Sequence, residues 1–197
     1  MIDLTKKIQN TLEVSSKIHN DLSKDLNLIN KLYLAAQQGA RSINEGGKII
    51  FAGNGGSFAD AQHLAAEFIG TMGRQRGSLP AMTIGTNLSS LTAISNDYSY
   101  SDAFARELSA IGSEKDFVIL LSTSGNSKNL IEMATIIKKK NMNSIGFLGG
   151  NGGKLAEHIP YILAPSARTE RIQECHILFG HIFCEIIEDI TVNFDTK

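Results

Sequence analysis

Ser122, Thr123, Ser124 and Ser127 crowd four hydroxyls into six consecutive positions around Gly125 and Asn126. Hydroxyls and free amides in a tight loop are the donors that hold a phosphate. Gly125 permits the sharp turn, and Ser127 is placed to cap a helix starting near Lys128, whose unpaired N–H groups attract anions. The loop contains no lysine, whereas the nucleotide P-loop needs Gly-Lys-Ser/Thr to reach the outer phosphates. One phosphomonoester therefore fits better than a nucleoside triphosphate. A second turn, Gly53-Asn54-Gly55-Gly56-Ser57, lets a ligand approach the main chain. The dinucleotide fingerprint would need glycine at position 58, where the chain has Phe58, and no acidic residue follows the second strand to hold a ribose. No nucleotide cofactor is expected. Asn54, Gly55, Gly56 and Ser57 are candidates for a sugar or phosphate, with Ser57 also placed to cap the next helix; a plain tight turn would use the same residues. Gly149-Gly150-Asn151-Gly152-Gly153 lacks hydroxyls and reads as structural.

His63 and Glu67 stand four apart on a predicted helix, so they project from one face about 40° apart. That spacing suits a metal site, acid/base work or a surface ion pair. On the last predicted helix, Gln173, His176 and His181 interrupt an apolar stripe and need polar partners. Gln173 and His181 are about 12 Å apart along the axis. One helix cannot readily aim both at one small centre, so a shared function would require two copies of the helix from different subunits.

These residues need a scaffold that gathers loops at one end. Phe117 to Leu121 is a short apolar run, the pattern of a strand covered on both faces. Lys48 to Ala52, Ala81 to Ile84, Ser144 to Leu148 and Tyr161 to Leu163 read likewise, with helical segments between them. The expected fold is α/β: a doubly wound, five-stranded, mainly parallel sheet flanked by helices. Residues 46–197 would form this unit and residues 1–45 an N-terminal helical extension used in oligomerisation, all in one structural domain. The extension carries Leu4, Ile8, Leu12, Ile18, Leu22, Leu26, Ile29, Leu32, Tyr33 and Ala36 at helical spacing, with a break near Asn20 to Ser23. The segment from about Arg168 to Val192 is apolar on nearly every side, which predicts burial in a core or between subunits.

With 197 residues, 42% of them hydrophobic, the chain can bury a core. A net charge of -1 from 19 basic and 20 acidic residues gives no electrostatic reason to expect nucleic acid or an anionic membrane. Met1-Ile2-Asp3-Leu4 opens an amphipathic stretch, and no run approaches the roughly 20 apolar residues of a membrane span. A cytoplasmic protein is expected. Cys175 and Cys184 are nine residues apart on one helix, too far for a disulfide between them, and read as buried reduced thiols.

Gly53-Asn-Gly-Gly-Ser57, Gln62-His63-x-x-x-Glu67, Asn96-Asp97, Ser122-Thr-Ser-Gly-Asn-Ser127 and Arg171-Ile-Gln-Glu174 with His181 together resemble the phosphoheptose isomerases. These are bacterial sugar isomerase (SIS) domain enzymes, and the resemblance spans nearly the whole chain. It implies conversion of sedoheptulose 7-phosphate to glycero-manno-heptose 7-phosphate, the first step toward activated heptose for lipopolysaccharide or capsule. It also implies a homotetramer with active sites at subunit interfaces. Substrate contacts would fall on Asn54, Gly55, Gly56, Ser57, Glu67, Asn96, Asp97, Ser122, Thr123, Ser124, Ser127 and Gln173. Glu67 and His181 would be catalytic, and His63, Glu67, Gln173 and His181 would hold Zn2+. A silent relative that binds the replication initiator protein shares the fold and hydroxyl loop but lacks counterparts of Glu67 and His181. An isomerase of another sugar phosphate would share all of these features. Two positions depart from the family pattern: Thr71 follows Gly70 where many relatives carry Arg, with Arg74 and Arg76 downstream, and Glu170 stands where many have Asp.

Overall fold

The computed structural model describes residues 3–191. The expected strands form one five-stranded sheet of order β2-β1-β3-β4-β5, and every pair is parallel. They are β1 (Ile49–Gly53), β2 (Ala81–Thr83), β3 (Phe117–Ser122), β4 (Asn143–Gly149) and β5 (Tyr161–Ala164). Side chains alternate between faces, as the strand period requires. Ile49, Phe51, Phe117, Ile119 and Leu121 enter one core layer, while Ile50, Ala52, Val118 and Leu120 enter the other. The first layer is closed by α2 (Leu26–Asn44), α3 (Gly56–Ile69) and α7 (Thr169–Thr191); the second by α4 (Leu88–Asp97), α5 (Tyr100–Ile111) and α6 (Lys128–Lys139). Helices on both faces explain why the central strands are continuous apolar runs.

The N-terminal break lies at Ser23 to Asp25, slightly later than the sequence suggested: α1 spans Leu4–Leu22 and α2 begins at Leu26. The Asp25 carboxylate accepts from the N–H groups of Asn27 and Leu28 and so defines the start of α2. Leu28, Leu32, Ala35, Ala36 and Ala40 of α2 belong to the main core. By contrast, α1 keeps Leu4, Ile8 and Leu12 exposed at 65%, 63% and 66%. The expected opening at Met1 and Ile2 and the expected end of the last helix at Val192 lie outside the described residues. No helix among the described residues is long and apolar enough to cross a membrane.

On α7, His176 is fully buried against Phe147, with neither ring nitrogen in a hydrogen bond of good geometry. Burial pushes its pKa down from 6.5 to about 4, opposed only weakly by the Leu148 backbone. The unfolded imidazole takes up a proton near pH 6.5 and the folded one only near pH 4. The native state therefore loses stability as pH falls through that window, by on the order of 3 kcal/mol in total. Urea unfolding of wild type and His176→Leu at about pH 7 and about pH 4.5 checks this: acidification should cost the variant much less. An equal loss in both proteins would remove His176 as the cause. Cys175 and Cys184 are both free and buried, and burial raises the Cys175 pKa to about 11 and that of Cys184 further still.

Candidate active site

Strand order reverses between β1 and β3, so their following loops diverge and open a crevice at the carboxyl ends of the strands, where such sheets bind ligands. The hydroxyl loop after β3 forms one wall. Gly125 adopts φ +63°, and the Ser122 Oγ accepts from its N–H at 3.0 Å. The Ser124 Oγ accepts from the Asn126 N–H. A hydroxyl that accepts keeps its own proton, so both can still donate to a phosphate. Ser127 occupies the N-cap position of α6, but its side chain makes no capping bond. The Gly149–Gly153 turn is structural: its Gly152 backbone packs against Gly125, while Lys154 donates its N–H to the Asn126 Oδ1.

The loop after β1 forms the other wall. Its helix starts two residues earlier than expected, with Gly55 as cap at φ +56°, so buried Ser57 lies inside the first turn of α3 and does not cap it. The Asn54 amide is held by Asn129 through two hydrogen bonds and receives a third from the Tyr100 hydroxyl at 2.7 Å. These bonds tie the two loops together and leave the backbone of Asn54, Gly55 and Gly56 as the surface offered to a ligand. Asn129 and Tyr100 were not singled out from the sequence. Asn96 and Asp97 sit exposed at the end of α4, with the Asn96 amide donating to Asp97 at 3.0 Å.

α3 and α7 run side by side in the same direction. Gly180 permits this, since a Cβ there would collide with the Leu64 side chain. The packing brings the Nε2 atoms of His63 and His181 to 3.0 Å, with the Glu67 Oε1 3.2 Å from His63. Ligand atoms of all three lie within 4.8 Å of one another. Ligands about 2.0–2.1 Å from a tetrahedral zinc stand about 3.3 Å apart, so the three fit three corners of such a site and leave the fourth open. Gln173 is not with them. Its amide lies so close to Gly56, at the opposite end of α3, that a Cβ there would collide with it. His63 is seven residues further along, about 10 Å. Within one chain the four resemblance-implied zinc ligands therefore divide into three and one. Sequence reasoning missed Asp60, one turn before His63. Its half-buried carboxyl has an Oδ2 without a hydrogen bond. Burial raises its pKa, opposed by the nearby His63 and His181. A carboxylate at i, i+3 from a candidate ligand was a legible signal.

A family model for the SIS domain matches residues 15–149. The phosphoheptose isomerase of Thermodesulfovibrio yellowstonii is 44% identical over 96% of this chain and 94% of its own length. The chain belongs to the phosphoheptose isomerase family of SIS-domain proteins. Among solved members, that of Francisella tularensis superposes with a TM-score of 0.89 at 30% identity, over 96% of this chain and 100% of its own. The Neisseria gonorrhoeae enzyme gives 0.87 at 35%, over 94% and 99%.

The departures from the family pattern have distinct structural outcomes. Arg74 is exposed and pairs with Asp189 at 3.0 Å, whereas Arg76 is buried among backbone carbonyls at the end of α3. Glu170 pairs with Arg168 on the surface. Within the Arg-Ile-Gln-Glu motif, Arg171 pairs with Glu174 and donates to the Thr11 carbonyl, and Glu174 accepts from Ser15. Those two residues anchor α1, while Gln173 faces the loop after β1.

Proposed function

We propose that the chain interconverts sedoheptulose 7-phosphate and D-glycero-D-manno-heptose 7-phosphate, supplying the first intermediate of activated heptose for lipopolysaccharide or capsule. The observation that carries this reading is the His63, Glu67 and His181 cluster, in a chain that also bears a hydroxyl loop after β3 and is 44% identical to a phosphoheptose isomerase. The phosphate is held by Ser122, Thr123, Ser124, Ser127 and the amides at the start of α6, and the sugar by Asn54 to Ser57, Asn96, Asp97 and Gln173. Glu67 takes the proton from C1 of the ketose and returns it to C2. His181 moves the proton between the two oxygens, so the intermediate is an enediolate and no atom is gained or lost. A zinc ion held by His63, Glu67 and His181 would polarise the carbonyl. As a ligand Glu67 is a weaker base, so its two roles belong to different states.

A homotetramer with interfacial sites fits two observations. The exposed Leu4, Ile8 and Leu12 stripe is an apolar face suited to a second copy. The separation of Gln173 from the other three ligands means that it completes a four-ligand site only if another subunit supplies it.

The test is a panel of ketose phosphates assayed with and without a chelator. Sedoheptulose 7-phosphate should be the preferred substrate, and chelation should lower turnover at least about tenfold, restored by added Zn2+. No turnover on any ketose phosphate would leave a non-catalytic scaffold. Full turnover under chelation would remove the metal from the reaction.

A further inference from the structure

Arg76 lies in the loop between α3 and β2 and meets the His/Glu/His cluster only at the Glu67 main-chain carbonyl, yet its side chain is only 3% exposed. A buried guanidinium needs partners, and these partners are specific. One nitrogen donates to the Phe68, Gly70 and Gly77 carbonyls at 2.9, 3.1 and 3.0 Å, and the other to the Glu67 carbonyl at 2.8 Å. Its Nε lies 3.1 Å from the Glu188 carboxylate, itself 7% exposed. The end of α3 has carbonyls without intrahelical partners and no basic residue of its own in the last turn. Arg76 supplies the missing cation from outside the helix.

Glu188 is on α7, seven residues beyond His181 and so on nearly the same helical face. One guanidinium thus joins the last turn of α3, which carries Glu67, to the helix that carries His181. A lysine could meet Glu188 but could not span four carbonyls and a carboxylate with a planar fork.

We propose that Arg76 is a positioning residue: its contacts lock α3 against α7 and thereby set the spacing of His63, Glu67 and His181. This rests on the isomerase reading above. A merely structural Arg76 would change stability and leave the folded protein's turnover and metal affinity alone. Misplacing a reacting group by about 1 Å costs on the order of 100-fold in rate, so the two roles separate clearly.

The experiment compares wild type, Arg76→Lys and Glu188→Gln as full-length folded protein. It measures kcat and KM for sedoheptulose 7-phosphate, Zn2+ affinity by competition with a chromophoric chelator, and thermal melting. Arg76→Lys should lose about tenfold or more in kcat with KM within about twofold, and should bind Zn2+ at least about fivefold more weakly. Glu188→Gln, which keeps the side-chain volume, should move both readouts the same way by less. Wild-type kcat and Zn2+ affinity in folded Arg76→Lys would overturn the inference. If that variant does not fold, Glu188→Gln decides on the same two readouts. A wild type inactive on the sugar phosphate would defeat the isomerase reading, and the Zn2+ arm would still decide the role of Arg76.

Discussion

Glu67→Gln is expected to lower kcat for sedoheptulose 7-phosphate by about 10²- to 10⁴-fold, with KM within about threefold of wild type. The substitution keeps size and shape but removes the negative charge, and with it the capacity to take and return a proton and to hold Zn2+ as a carboxylate. Glu67 sits in the last turn of α3, with its side chain 19% exposed and 3.2 Å from the His63 Nε2. Its backbone is pinned by Arg76, so a neutral amide should occupy the same place without reorganising the helix. On the proposed assignment, phosphate affinity would come from the hydroxyl loop after β3, which the substituted side chain would not touch. The effect should therefore fall on the chemical step. His181→Gln should behave in the same direction. Steady-state kinetics decide the matter, and a wild-type kcat in folded Glu67→Gln would remove that carboxylate from the proton transfer.

The sheet was legible because burial on both faces leaves an unambiguous mark, such as the unbroken apolar run from Phe117 to Leu121. The two loops of the crevice were legible for a related reason: an abrupt change from apolar to hydroxyl residues marks where a strand leaves the core. Cap positions were less so. Gly55 at positive φ starts α3 at Gly56, which moves Ser57 into the helix. Side-chain spacing alone does not reveal such a backbone choice. The division between Gln173 and His181 followed from helix rise, but the cluster of His181 with His63 depends on Gly180 admitting Leu64 at close range, a contact between elements far apart in sequence. Arg76 illustrates the same limit. A loop arginine looks solvated in a sequence, and only the packing of α3 on α7 turns it into a buried clamp.

Gly125→Ala is expected to raise KM by about 10- to 100-fold while kcat at saturation falls less than about tenfold. The residue has φ +63°, which costs an L-residue about 1–2 kcal/mol. Its new methyl would also collide with the Gly152 carbonyl oxygen. Neither loop can yield freely, because the Gly125 carbonyl accepts from the Leu155 N–H at 2.9 Å and its own N–H is held by the Ser122 Oγ. The clash must therefore shift the hydroxyls proposed to hold the phosphate. Losing one charge-assisted hydrogen bond, about 1.5–3 kcal/mol, corresponds to the stated range. Gly73→Ala serves as control, since a Cβ there meets nothing within 4 Å; it should change neither constant. An unchanged KM in folded Gly125→Ala would move the phosphate away from this loop. A raised KM beside the intact KM of Glu67→Gln would place substrate holding and proton transfer on separate parts of one crevice, the first after β3 and the second between α3 and α7.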